Sequence, residues 1–264
     1  MFAPQEFFDL SSWPHLELFA EDKPVWEVLR LLKTYISDLL KPNVAEIASL
    51  GPMLAKTVVL YQDELIDRDF QLIPGDATKK TFRVIHGGRE LSGATVLYAG
   101  CCLMDSNISL GPGVVVEPGA LIKGPAIIGA HCEVRQGAYL RGHCLVGDGC
   151  VVGHTTEMKH AVMLHGAKAG HFAYIGDSIL GSSTNLGAGT KLANLKIIDT
   201  PVTVRFAGET YDTGLRKFGA IIGDNSETGC NSVTNPGTLL GPRCLVYPGV
   251  SVKSGYYRRR SIIR

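Results

Sequence analysis

The chain has 264 residues, 45% of them apolar, with 26 basic and 25 acidic side chains and a formal charge of +1. That is enough apolar material for a sizeable core, and it excludes a disordered chain. The near-neutral balance gives no electrostatic footprint for nucleic acid, and the basic triplet Arg258 to Arg260 reads as part of a solvated tail over residues 257–264.

The opening residues, MFAPQEFFDLSSW, lack the basic, apolar and small-residue regions of a secretory signal. No stretch reaches the roughly 18 apolar residues of a membrane span, so a cytoplasmic protein without a membrane partner is expected. Next, DKPVWEVLRLLKTYISDLLKPN carries Val25, Val28, Leu29, Leu32, Ile36, Leu39 and Leu40 at helical spacing, with Asp22 and Pro24 as start signals and Pro42 as a stop. An amphipathic helix follows, placed as a cap on the open end of what comes after it; docking to a partner is the other use such a helix has. Residues 1–90 are read as a helical capping region, and KTVVLY and TFRVIHGG within it as strands.

From Leu110 the chain repeats in sixes. Val116, Ile122, Ile128, Val134, Leu140, Val146, Val152, Met158 and Leu164 form an unbroken apolar series. A second series, Val114, Ala120, Ala126, Cys132, Ala138, Cys144, Cys150 and Thr156, is nearly all small. Neither a helix nor a simple alternating strand has this period, whereas one side of a three-sided β-helical coil does, three repeats closing one turn. The bulky series points inward, the small one fits the corners, and motifs such as GPG at 111 and EPG at 117 turn them. The phase resumes with Leu180, Leu186 and Leu192, and again from Ile222 through Thr228, Thr234, Leu240 and Val246 to Val252. Between these blocks, residues 196–218 read as a projecting β-hairpin turning at Ala207-Gly208. The fold class is mainly β, a parallel β-helix over residues 91–256.

The seven cysteines contain no CxxC pair and read as reduced core thiols, with Cys132 and Cys150 stacked one turn apart. The histidines near residue 160 stand at intervals of 6 and 12, on different sides of a three-sided coil, so no metal site is expected.

The run TTEMKHAVMLHGAKAGHFAYIGDSILGSSTNLGAGT resembles the acetyltransferase half of the bacterial bifunctional enzyme that makes UDP-N-acetylglucosamine. GAGTKLANLK followed by DTGLRKFGAIIGDN is similar to the archaeal-type sugar-1-phosphate nucleotidylyltransferase/acetyltransferase proteins. The resemblance implies a left-handed coil, a homotrimer, and acetyl-CoA and glucosamine 1-phosphate meeting in clefts between subunits.

It also implies roles. His171 would be the general base that takes a proton from the acceptor's amine, a task suited to an imidazole. Arg141, Lys159 and Lys217 would hold the phosphate, and Glu157, Tyr174, Asn185 and Asn194 the sugar. Ala188, with its backbone N–H at the oxyanion, and Cys230 would line the cofactor groove. Arg135 matches the family's arginine locally, but Arg141 lies three repeats before Lys159, one full turn, and is preferred. His171 is expected where the repeat skips phase, so that a kinked corner aims its imidazole outward.

The sequence departs from the family in three places. Residues 1–90 carry no nucleotidylyltransferase signature, Leu195 stands where the bacterial family has a tyrosine, and Tyr247-Pro248 replace small residues of the cofactor groove. Two functions are therefore carried forward. One is an acetyl-CoA-dependent glucosamine-1-phosphate N-acetyltransferase. The other is a silent trimeric β-helix that docks a separate sugar-1-phosphate nucleotidylyltransferase through its helix.

Overall fold

In the computed structural model, which describes residues 2–264, the six-residue pattern winds into a three-sided parallel β-solenoid. Its first face ends in nine parallel strands, from Thr95–Leu97 to Ile262–Ile263, to which Val58–Tyr61 and Glu64–Ile66 add in antiparallel sense. The second face has eight strands, from Cys102–Leu103 to Ser251–Val252, and the third has eight, from Ile108–Leu110 to Gly255–Tyr257. Register follows the sequence period: Val116 pairs with Val134 and Val134 with Val152, Ile122 with Leu140 and Leu140 with Met158. These inner side chains, with the small corner residues Ala120, Ala126, Cys132, Ala138, Cys144 and Cys150, form one continuous buried core. All seven cysteines are free thiols, and Cys132 and Cys150 are stacked, the Cys150 N–H donating to Cys132 Sγ at 3.4 Å.

The period is not uniform. Val146 pairs with Met163 and Met163 with Leu180, so each of these turns falls one residue short of three full repeats. The missing residue is lost between Met158 and Met163, and again between Ile175 and Leu180, where one side is shortened. Met163 therefore takes the inner place expected of Leu164, which is buried on the outside of the coil instead. The shortened corners are Lys159-His160 and Gly176-Asp177. His171 lies on a full-length side between Ala169 and Ile175, so it does not owe its position to a phase skip.

Helix α1, Glu27–Leu39, forms where the helical spacing places it and buries Val28, Leu29, Leu32 and Ile36. It does not cap the coil. Its apolar side packs outside the third face, against Leu145, Val162, Ile179, Ile221 and Leu239. The reason is visible in the third-face strands, where CLV, AVM, AII and TLL are buried at every position, whereas YLR on the second face alternates exposed, buried, exposed. A strand apolar on both sides needs a cover on both. The end of the coil is closed instead by the segment after α1: Val44, Ile47, Leu54, Val58 and Leu60 join the inner core, with Ile47 on the short helix α2, Ala45–Ser49. Asn43 completes the plug by pairing its amide with the Leu110 backbone, at 2.8 and 2.9 Å.

Two other expectations change. The hairpin, Thr203–Phe206 with Glu209–Asp212, does not project but folds back over the coil, burying Val202 and Val204 completely. Phe2 meets Phe206, Tyr211 and Tyr256 there at ring distances of 5.1 to 5.9 Å. Gly255 permits the approach, since a Cβ at that position would lie 2.7 Å from the Arg205 carbonyl oxygen. Nor are residues 257–264 a tail: Tyr257 and Ile262–Ile263 continue the third and first faces, and Arg258 to Arg260 form an exposed corner.

Thr234 occupies an inner position between Leu192 and Val252, and its hydroxyl has no hydrogen-bond partner. Thr234→Val is expected to stabilise the fold by about 1 kcal/mol, because it removes a buried, unsatisfied polar group at constant shape. The thermal midpoint measures this; a lower midpoint in the variant would contradict it.

Candidate functional site

Second-face strands carry the predicted polar set on their outer positions. Tyr139–Arg141, Glu157–Lys159 and Tyr174–Gly176 lie side by side, with Tyr139 opposite Glu157 and Glu157 opposite Tyr174. Arg141 and Lys159 therefore stand on the same edge of that face, as their one-turn interval predicts, and Lys123 continues the column opposite Arg141. Arg135, by contrast, is on the first face and is tied to Glu133 at 2.7 Å.

Of the three predicted cations, Arg141 and Lys159 are held differently. Arg141 Nη1 donates to Glu157 Oε1 at 2.6 Å, with the side chains 43% and 34% exposed. A pair this wet is worth about 0–1 kcal/mol, so either side chain can exchange its partner at little cost. Lys159 Nζ donates to Asp177 Oδ2 at 3.0 Å, with the side chains only 25% and 5% exposed. The same carboxylate takes the Asn194 amide and lies 2.7 Å from His160 Nδ1. Burial alone would raise the Asp177 pKa, but the hydrogen bonds from His160, Lys159 and Asn194 outweigh it and hold the carboxyl below its ordinary 3.8.

A pH dependence follows, with its sign set by that lowering. The stability contributed by ionised Asp177 is complete above the ordinary value of 3.8 and is lost as pH falls below it, through the lower folded value. The expected result is that the thermal midpoint of Asp177→Asn falls less steeply than that of the native chain below pH 4; parallel curves would contradict it.

Tyr174 and Asn194 meet over Gly176. A Cβ on Gly176 would lie 2.5 Å from the Tyr174 hydroxyl and 2.7 Å from Asn194 Nδ2, so the bare backbone makes room for both. Burial pushes the Tyr174 hydroxyl above its usual pKa, which keeps it a neutral phenol. Lys217 comes to the same edge: it bridges to Leu195, and the Phe218 N–H donates to the Asn194 carbonyl at 2.9 Å. Its position is thus set by the strand that re-enters the coil, after the hairpin has closed.

His171 stands at the other edge of the second face, where the chain turns in from the first. Backbone bonds stack that corner in a column: Phe172 N–H to His154 O, Gly189 N–H to His171 O, Asn231 N–H to Ala188 O and Gly249 N–H to Cys230 O, at 2.8 to 3.0 Å. His171, Ala188 and Cys230 are therefore successive members of one ridge, with Pro248 after them. His171 is exposed beside the Phe172 ring, at 6.2 Å between centroids. Asn185 is also exposed, on the first face opposite Lys168 and Glu227, away from Asn194.

A single chain thus brings Arg141, Lys159, Asn194 and Lys217 to one edge, which the side chains of Glu157 and Tyr174 reach from the start of their strands, and His171, Ala188 and Cys230 to another. The short strands between them set the edges roughly 10 Å apart. Sequence reasoning missed Asp177, His160, Gly176 and Lys123. Counting one whole turn back from Arg141 would have found Lys123, whereas the turn after Lys159 is one residue short and meets Gly176.

Residues 122–207, which carry most of this set, match the family model described as the GMPPB C-terminal domain. The bifunctional protein GlmU of Methanococcus vannielii is 38% identical over 118 residues, 42% of this chain and 28% of its own. A bifunctional sugar-1-phosphate nucleotidylyltransferase/acetyltransferase of Sulfurisphaera tokodaii is 39% identical over 101 residues, 38% of this chain and 25% of its own. The chain's coil is related to theirs. GlmU of Prochlorococcus marinus is 33% identical over 159 residues, 57% of this chain and 32% of its own. The chain thus spans between a quarter and a third of the length of these relatives. Among the described residues, no helix is long and apolar enough to cross a membrane.

Proposed function

We propose that this chain is an acyltransferase, and specifically an acetyl-CoA-dependent N-acetyltransferase acting on glucosamine 1-phosphate. The observation that carries this reading is the pair of edges on the second face. One bears the cations Arg141, Lys159 and Lys217 with a phenol and an amide; the other bears an exposed imidazole in a ridge with Ala188 and Cys230. The first set suits a phosphorylated sugar. The second suits a thioester lying beside a base.

The acceptor's amine is protonated near neutral pH and cannot attack until it loses a proton. His171 takes that proton, the amine nitrogen bonds to the thioester carbonyl carbon, the C–S bond breaks, and a second proton passes from the nitrogen to the departing sulfur, so that the coenzyme leaves as its thiol. Backbone N–H groups of the ridge, with Ala188 the first candidate, receive the oxyanion. Arg141 exchanges Glu157 for the phosphate, while Lys159 supplies a fixed positive charge beside it.

Because base and cations occupy different edges, the reading includes an assembly of copies, a homotrimer, in which the His171 ridge of one subunit faces the Arg141 edge of the next. The alternative, a silent coil that docks a nucleotidylyltransferase through α1, has less support. The apolar side of α1 is already buried against its own third face. Mass-spectrometric detection of acetylated glucosamine 1-phosphate tests the proposal. Absence of product at saturating substrates, with the folded chain, would end it.

A further inference from the structure

Asp177 faces almost no solvent, at 3% exposure, yet its carboxylate serves three donors, two from the Lys159-His160 corner and one from Asn194 in the next turn. Lys159 Nζ reaches Oδ2 at 3.0 Å and Oδ1 at 3.3 Å, His160 Nδ1 stands 2.7 Å from Oδ1, and the Asn194 amide binds Oδ2. A buried carboxylate costs several kcal/mol in desolvation unless such partners offset it. A site that needed only a lysine and an asparagine on its surface would leave both to water.

The stacking of the corners brings these groups together. His160 and Asp177 both adopt left-handed conformations, with φ of 47° and 45°, at the two shortened corners. The Asp177 N–H donates to the Lys159 carbonyl at 3.0 Å, which stacks one shortened corner directly on the other. His160 closes the inner side: its Nε2 is buried without a partner, and its ring meets that of His143 edge-on at 6.1 Å. Outward, Asn194 leans on the Tyr174 hydroxyl across the bare Gly176. One carboxylate thus reaches Lys159 and Asn194 directly and Tyr174 through Asn194.

We propose that Asp177 is the positioning residue of the acceptor site, fixing the Lys159 ammonium and the Asn194 amide, and through Asn194 the Tyr174 hydroxyl, in the orientation that meets the sugar phosphate. This rests on the acetyl-transfer reading for its substrate. Without the carboxylate, the four-carbon stem of Lys159 regains its rotamers, and the Asn194 amide no longer has one end fixed. The acceptor then binds a disordered set of groups, whereas the cofactor ridge on the other edge is untouched.

Asp177→Asn keeps the shape and removes the charge. The expected result is at least a tenfold rise in KM for glucosamine 1-phosphate with KM for acetyl-CoA within twofold of native. In a Lys159→Gln background the same change adds less than threefold, because its main partner is already gone. A merely structural role would depress activity without this split or this non-additivity, and that pattern, or an unchanged acceptor KM, overturns the proposal. Asp177→Glu, which keeps the charge one methylene further out, gives the same split at smaller size and serves if Asp177→Asn does not fold. A second readout needs no activity: trace labelling of amines with acetic anhydride, read by mass spectrometry. Lys159 should label at least fivefold faster, relative to Lys123, in the folded Asp177 variant than in the native chain. A native chain that transfers no acetyl group defeats the functional reading, while unchanged Lys159 labelling defeats the positioning role.

Discussion

His171→Ala is expected to lower kcat for acetyl transfer to glucosamine 1-phosphate by about a hundredfold or more, the range of a positioned general base. The side chain is exposed on its corner and the His171 carbonyl, which holds Gly189 in the stack, is unaffected by the substitution. The thermal midpoint should therefore stay within a degree or two of native, and the acceptor KM should change little, since the phosphate and sugar groups sit on the other edge. The assay reads acetylated product by mass, which avoids interference from the exposed Cys230 thiol. A loss below threefold would remove His171 from the chemistry. A large loss accompanied by a collapsed midpoint would make it a structural residue.

Removing residues 1–42 is expected to have the largest effect on the fold. The deletion spares Asn43 and the plug from Val44 to Leu60, so the end of the coil remains closed. It uncovers Leu145, Val162, Leu164, Ile179, Ile221 and Leu239, all essentially inaccessible in the full chain. Each side chain of this kind is worth about 1.5–3 kcal/mol when buried. Their combined exposure rivals the total stability of an ordinary domain, about 5–15 kcal/mol. The truncated chain should aggregate on expression or bind a hydrophobic dye strongly. A soluble truncation with a native midpoint would mean that the N-terminal segment is dispensable and that α1 is free for another use.

Much of the coil was legible because its core is periodic. A single inner position in every repeat leaves a mark that composition cannot hide, and the register from Val116 to Met158 follows it without exception. The pattern weakened where a side lost one residue. Leu164 and Met163 are adjacent and both apolar, so only the paired strands decide which of them faces in. The site was legible in part for the same reason, since Arg141 and Lys159 are one turn apart and stack on one edge. Asp177 was not, because nothing in a lone aspartate after Ile-Gly shows that three donors will converge on it.

Helix α1 shows the same division. Its spacing, Val25, Val28, Leu29, Leu32, Ile36, names an amphipathic helix and its buried side, but not what that side meets. It could equally have covered the coil's end, and only the third face, apolar on both surfaces, selects it. The hairpin is marked in the sequence by its alternation and its Ala207-Gly208 turn, yet its direction depends on Phe2 and Tyr256, which lie far from it along the chain on either side. By itself, then, the sequence determined the coil, its period, its inner column and the elements attached to it, because those depend on local spacing and on burial that repeats. The tertiary structure alone decided which surface each attachment covers, and which carboxylate ties Lys159, His160 and Asn194 together. Those are long-range contacts, made once each, and a contact made once leaves no period to read.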